Sequence, residues 1–354
     1  MPRLLISSCL LLCVGALYAQ PAPFVPARDP QVVAFSPSGN IVATGVSGLP
    51  DGLFPPRPHP SVRKSATVFL WDAESGKRLK RMDTYGDFTQ IKFSPDGSLI
   101  AATRLFQTGD ELSLPEVRLW DVVSGQTAKV LDRCHAFDFS PDGKTLAAVS
   151  RTKCVLYDVA SWERKTEIEP LGGAVSVTFG RDALFGVMKT AAGYTIRKWE
   201  LANGFLEAET LPLASPFYRA AVSPDGLLLA TGHEGVVLVR STESLDPLFQ
   251  LPLGQPGIAH PFFAPDGKRI AAGCQANGDV IVWDAESRQE LQRFTFEKGR
   301  FRPFLSRPAE ATFRPETDPQ RFVFSPDGKS FLAGAHGGIV RSADDGREVR
   351  SYGE

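Results

Sequence analysis

One segment recurs seven times along this 354-residue chain, and the recurrence restricts the fold more than any other property. Each copy is an apolar strand ending in Phe or Val, then a turn close to Ser-Pro-Asp-Gly, then a second apolar strand rich in Ala. The copies begin at Val32 (VVAFSPSGNIVATG), Ile91 (IKFSPDGSLIAAT), Phe137 (FDFSPDGKTLAAV), Val177 (VTFGRDALFGV), Ala220 (AAVSPDGLLLATG), Pro261 (PFFAPDGKRIAAG) and Phe322 (FVFSPDGKSFLAG). Pro presets the first turn position, Asp bonds the backbone locally, and Gly takes the left-handed conformation that sends the chain back alongside itself. Each copy therefore reads as an antiparallel hairpin.

A second segment follows every copy: an alternating strand, often ending in Trp-Asp, and a turn into one more strand. Examples are TVFLWDAESGKRL, EVRLWDVVSGQTA and VIVWDAESRQEL. Anchored on Phe35, Phe93, Phe139, Phe179, Val222, Phe263 and Phe324, the copies are spaced by 58, 46, 40, 43, 41 and 61 residues. The middle spacings match the ~40–45 residues of a four-stranded propeller blade, and the outer two match that unit with insertions. Helical periodicity is absent beyond the first twenty residues. The expectation is an all-β, seven-bladed β-propeller of four-stranded antiparallel blades over residues 31–352, with insertions at 46–66, 104–116 and 296–320. Small Ala or Gly residues on every second strand let neighbouring sheets approach face to face.

These motifs resemble the WD-repeat (WD40) propeller family over nearly all of residues 31–352, in the manner of an exported bacterial member. The resemblance rests on Trp71-Asp72, Trp120-Asp121 and Trp283-Asp284, with Tyr157-Asp158 and Trp199-Glu200 as relaxed versions, all at one phase of the repeat. Blades five and seven carry Val239-Arg240 and Val340-Arg341 instead. The family's Gly-His pair before the first strand is missing, so the resemblance does not extend to a buried Asp–His network, and apolar packing is expected to hold the blades together. No terminal strand is left to lace the ring, so blade seven is expected to close directly on blade one, with Pro23 to Arg28 over the seam.

The N-terminus, MPRLLISSCLLLCVGALYAQ, has the pattern of a secretory signal peptide: Arg3, an apolar run from Leu4 to about Leu17, then small residues. Residues 1–19 are read as the signal and 20–30 as a linker, which implies a periplasmic or secreted protein without stable membrane insertion after cleavage. The formal charge of −1 includes Arg3, so the mature chain is close to neutral and is not expected to bind nucleic acid. Cys134, Cys154 and Cys274 remain as an odd set, read as buried thiols and not as a disulfide framework.

Function is expected in the connections. The first-to-second and third-to-fourth strand turns hardly vary through the seven blades, whereas the other two sets range from three or four residues to more than twenty and lie on the opposite rim. The three long insertions belong to blades one and two and to the junction of six and seven, neighbours once the ring closes. They carry Arg beside aromatic residues, the composition of interface hot spots: Phe54, Arg57, His59 and Arg63 in the first, and Arg300, Phe301, Arg302, Phe304, Arg307, Phe313 and Arg314 in the last. The reading is a monomeric, non-catalytic scaffold that binds a protein or cell-envelope macromolecule through this rim, with no cofactor or metal.

The alternative is a propeller enzyme, hydrolase or quinoprotein-like, with its site at the mouth of the central channel. It requires a converging polar constellation that the sequence does not assemble. His233 and His336 share one turn position in blades five and seven, and His260 is the one histidine placed to approach His233. Asp72, Asp121, Asp158 and Asp284 read as turn caps.

Overall fold

The computed structural model describes residues 32–47, 65–105, 115–168, 174–213, 217, 219–274, 279–294, 322–333, 339–345 and 347–352. Their strands form seven antiparallel four-stranded sheets, each in plain sequence order, so the seven-bladed β-propeller is the fold. The innermost strands are β1 (Val32–Phe35), β5 (Asp87–Phe93), β9 (Cys134–Phe139), β13 (Ala174–Phe179), β17 (Ala220–Val222), β21 (Ala259–Phe263) and β25 (Phe322–Phe324). Residues 1–19, the linker 20–30, the Pro23–Arg28 segment and His336 lie outside the described residues.

A single sheet of this kind has two apolar faces and no core of its own. Seven buried apolar clusters solve the problem, one at each junction between neighbouring blades, including the junction of seven with one. The four described Trp side chains of the third strands are buried, each facing the blade before its own: Trp120 against blade one, Trp199 against blade three, Trp283 against blade five and Trp71 against blade seven. Apolar packing is thus the main inter-blade adhesive, as expected.

Close approach needs small residues on the second strands. Gly232, on β18 (Leu228–His233), lies so near blade six that a Cβ there would sit 1.8 Å from the Ala259 carbonyl oxygen. Gly273, on β22 (Arg269–Cys274), receives the Phe322 ring of blade seven in the same way, with a Cβ only 2.3 Å from Cδ2.

Among the described residues the seam closes without a shared strand. The last strand, β28 (Glu348–Ser351), belongs to the same sheet as β25, and β1 packs against β25 from the next blade. Tyr352 completes the junction: its ring lies 6.3 Å from that of Trp71 and its hydroxyl donates to the Ala73 carbonyl at 2.8 Å. Burial pushes the Tyr352 phenol up to about 12.

The short turns repeat one hydrogen-bond scheme. In blades two, three, five and seven, Ser94, Ser140, Ser223 and Ser325 donate Oγ to the Asp two residues on, and each Oγ accepts the amide five residues on at 2.9 Å. Asp72, Asp121, Asp158 and Asp284 cap the third-to-fourth strand turns by accepting the amide three residues on, at 2.6–3.0 Å. Those hydrogen bonds hold all four carboxyls below the usual carboxylate range. Both turn sets lie on one rim and are tied together, as by Val122 N–H to Ser98 C=O at 2.9 Å and Ala285 N–H to Lys268 C=O at 2.8 Å.

The turns also touch from blade to blade. A Cβ on Gly97 would meet Pro37 of blade one, one on Gly143 would meet Pro95 of blade two, and one on Gly39 would meet Pro326 of blade seven, each at 3.6 Å. Gly267 faces Pro224 and Gly328 faces Pro265 at 4.0 and 3.9 Å. The repeated Pro and Gly therefore do more than bend the chain: at these five positions the Gly seats against the Pro of the blade before it.

Blade four departs from this uniformity, which corrects the expectation that these turns hardly vary. Its first turn, residues 180–182 between β13 and β14 (Ala183–Thr190), is two residues shorter than residues 140–144 of blade three and has neither Pro nor Gly at the usual places. Its tie to the neighbouring turn is stretched to 3.5 Å, Leu201 N–H to Asp182 C=O.

Candidate functional site

The opposite rim carries the connections of uneven length. The shortest are single residues, Gly86 and Arg133, tighter than the three or four expected. The two longest leave from Ser47 and return at Ser65, and leave from Phe294 and return at Phe322; next come the connection from β16 (Leu206–Glu209) to β17 and the shorter one from Leu105 to Pro115. Up-and-down order puts all of these strand ends on one rim. The two longest connections spring from blades six, seven and one, whereas the β16–β17 connection joins blades four and five, so the elaboration is not confined to the one sector that the sequence led us to expect. Phe54, Arg57, His59, Arg63, Arg300, Phe301, Arg302, Phe304, Arg307, Phe313 and Arg314 all lie outside the described residues.

The base of the blade-two insertion holds a buried ionic group that the sequence reading missed. Arg104, 1% exposed, stands directly across from Glu116 in the pairing of β6 (Leu99–Leu105) with β7 (Pro115–Asp121). Its guanidinium bonds Glu116 and donates to the Tyr85 carbonyl at 2.9 Å, while Arg118 Nε reaches the same Glu116 oxygen at 3.0 Å. Burial lowers the Arg104 guanidinium to about 10, against the opposing pull of Glu116. Such a pair fixes the geometry of the two strand ends from which the insertion springs. An Arg in the otherwise apolar strand LIAATRL, with Glu at the head of the next strand, was the available signal.

The inner strands hold a second polar group, which sequence reasoning did not assemble. Asp138 accepts Lys92 Nζ of blade two at 2.7 Å and the Phe179 amide of blade four at 3.0 Å. Gln90 Nε2 donates to the Phe137 carbonyl at 2.8 Å, and His135 Nε2 lies 2.7 Å from the Ala174 carbonyl. Arg219 of blade five donates to the Thr89 carbonyl of blade two at 2.8 Å. Blades two and five stand opposite in a seven-membered ring, so this side chain crosses the channel near the loop-bearing rim. The Lys92–Asp138 pair and the Phe179 amide make the constellation a brace between blades two, three and four.

His233 is buried against the Phe217 ring at 4.8 Å, with Nε2 2.9 Å from Thr231 Oγ1. Burial, and then the Arg240 charge, lower it to about 4, so it stays neutral. Among the described residues no three His, Cys, Asp or Glu side chains are grouped to hold a metal ion. None of their helices is long and apolar enough to cross a membrane.

Cys134, Cys154 and Cys274 are free and buried. Cys134 on β9 and Cys154 on β11 (Cys154–Asp158) flank β10, so two strand spacings, about 9–10 Å, separate them, beyond disulfide reach. Burial raises the Cys134 thiol to about 11.

The chain matches no protein-family model and no curated protein.

Proposed function

We propose that this propeller is an exported, WD-repeat-like binding scaffold, monomeric and without cofactor, that recognises a protein or cell-envelope macromolecule through its loop-bearing rim. The observation that carries the reading is that the two longest connections spring from neighbouring blades six, seven and one of one rim, on a ring held rigid by buried packing at every junction. Binding residues concentrate on loops displayed by such scaffolds. The Arg-and-aromatic composition of residues 53–64 and 300–314 suits a hot-spot surface. The WD-repeat assignment rests on the phased Trp-Asp strands, and export rests on the character of residues 1–19.

The test is affinity capture from envelope extract with the mature chain, beside a variant in which residues 298–318 are replaced by a short linker. The reading expects partners held by the parent and lost by the variant. Equal recovery of the same partners by both overturns it.

A further inference from the structure

The Pro-on-Gly contacts run round the short-turn rim and fail at blade four. Pro141 of blade three has no glycine of the next blade seated on it, and Arg181 stands where Gly226 of blade five would otherwise meet a proline, 3.3 Å from Cβ to Cβ. The missing turn leaves an open groove of about 670 Å³ between the turns of blades three and five. That volume falls in the range of real ligand clefts.

The floor of the groove is apolar, with Leu156, Phe179, Leu201 and Val222. Its walls carry two cations, Arg181 and Lys165, against one carboxylate, Asp142. Arg181 is exposed and makes no hydrogen bond or ion pair with any described residue, and Lys165 remains 41% exposed beside Asp158. The one carboxylate in the lining, Asp142, stays ionised: Ser140 Oγ at 2.6 Å and the Lys144 amide at 3.0 Å both donate to its Oδ1 and hold it below the usual carboxylate range, which leaves the lining with one positive charge in excess.

Two exposed apolar side chains adjoin this place and break the repeat pattern. Phe205, 71% exposed, follows Gly204, whose Cβ position abuts Thr166 in the groove wall. The other six blades carry Lys77, Gln126, Glu163, Asp246, Gln289 and Arg347 there. Leu227, 64% exposed, follows Gly226 of the lining, where the other full-length turns carry Asn, Ser or Lys. An exposed guanidinium that acts on Asp225 only at a distance, set between apolar surfaces, is complementary to a carboxylate flanked by apolar side chains, and a cleft between two turns admits an extended backbone.

We propose that the groove over blade four is a recognition site, separate from the loop-bearing rim, that takes an extended acidic segment of a partner protein. The test pans a display library of random peptides against the full chain and measures the selected peptides by fluorescence anisotropy on three variants. In the first, the blade-three turn Ser-Pro-Asp-Gly-Lys replaces residues 180–182 and fills the gap; in the second, Arg181→Glu reverses the charge at an exposed side chain that leaves folding intact. The third is the linker replacement of 298–318.

The expected result is enrichment of Asp or Glu beside aromatic or aliphatic residues, with affinity falling about tenfold or more in Arg181→Glu and in the filled variant, and unchanged in the linker variant. Selected peptides that bind Arg181→Glu as tightly as the parent overturn the proposal. So do enrichment of basic or purely apolar peptides, no enrichment at all, or a groove-dependent dimer in sedimentation. Loss of binding in the linker variant alone assigns the peptides to the other rim and overturns the groove while sparing that reading.

Discussion

Replacing Gly232 by Ala places a methyl carbon where blade six already has backbone. The Cβ would lie 1.8 Å from the Ala259 carbonyl oxygen and 2.5 Å from its carbon. Ordinary C···O contacts begin near ~3.3 Å, so β18 and β21 must part by roughly 1.5 Å. Gly232 is in regular strand conformation, so no torsional penalty confuses the result; the cost is overpacking, about 1–3 kcal/mol in well-packed cores. Parting the strands also loosens the cluster of Ala230, Val237, Ile270 and Trp283, and a gap of ~0.5–1 Å forfeits a quarter to a half of each dispersion contact.

The sum places G232A at about 3 kcal/mol or more. Gly267→Ala is the control. There φ is +69° but the nearest atom to the new Cβ is Pro224 Cδ at 4.0 Å, so only the left-handed backbone penalty of about 1 kcal/mol applies. Urea unfolding followed by far-UV circular dichroism should show both midpoints lowered at constant m, Gly232→Ala by clearly more. A Gly232→Ala midpoint equal to that of Gly267→Ala or of the parent refutes blade contact through the second-strand glycines.

Glu116→Ala leaves the Arg104 guanidinium buried without its carboxylate and should cost about 3–5 kcal/mol in the same assay, whereas Asp345→Ala, which removes an exposed ion pair with Arg347, should leave the midpoint close to that of the parent. His233 and Tyr352 set opposite pH limbs. A histidine depressed from 6.5 to about 4 contributes stability that is full above 6.5 and lost as pH falls toward 4; a tyrosine raised from 10.0 to about 12 contributes stability that is full below 10 and lost as pH rises toward 12. Unfolding midpoints against pH should therefore show a shallower acid slope in His233→Gln and a shallower alkaline slope in Tyr352→Phe. The three buried thiols should label with iodoacetamide at the rate of unfolding, and rapid labelling of any of them in native buffer contradicts their burial.

The fold was legible because its signals are local. Ser94, Pro95, Asp96 and Gly97 fix a hairpin within four residues, Asp121 caps its turn from three residues away, and the spacing of such units counts the blades. What stayed hidden joins residues far apart in the chain. Arg219 and Thr89 are separated by 130 residues, and Lys92 and Asp138 meet only because blades two and three stack. The short turn of blade four was written in FGRDALF, yet its consequence, an open place beside Pro141, needs the neighbouring turns to be in position. The eleven candidate binding residues of the long insertions gain no geometry from the described strands, so their role still rests on composition.

Native-state hydrogen exchange, resolved by mass spectrometry, tests the closed ring most directly. A ring packed alike at all seven junctions predicts that the amides of β1 and β26 (Ser330–Ala333), on either side of the seam, exchange only through global unfolding, as slowly as those of β10 (Thr145–Ser150). Exchange at β1 and β26 far faster than at β10, with the middle blades still protected, would mean that blade seven does not hold blade one, and the closed propeller would fall with it.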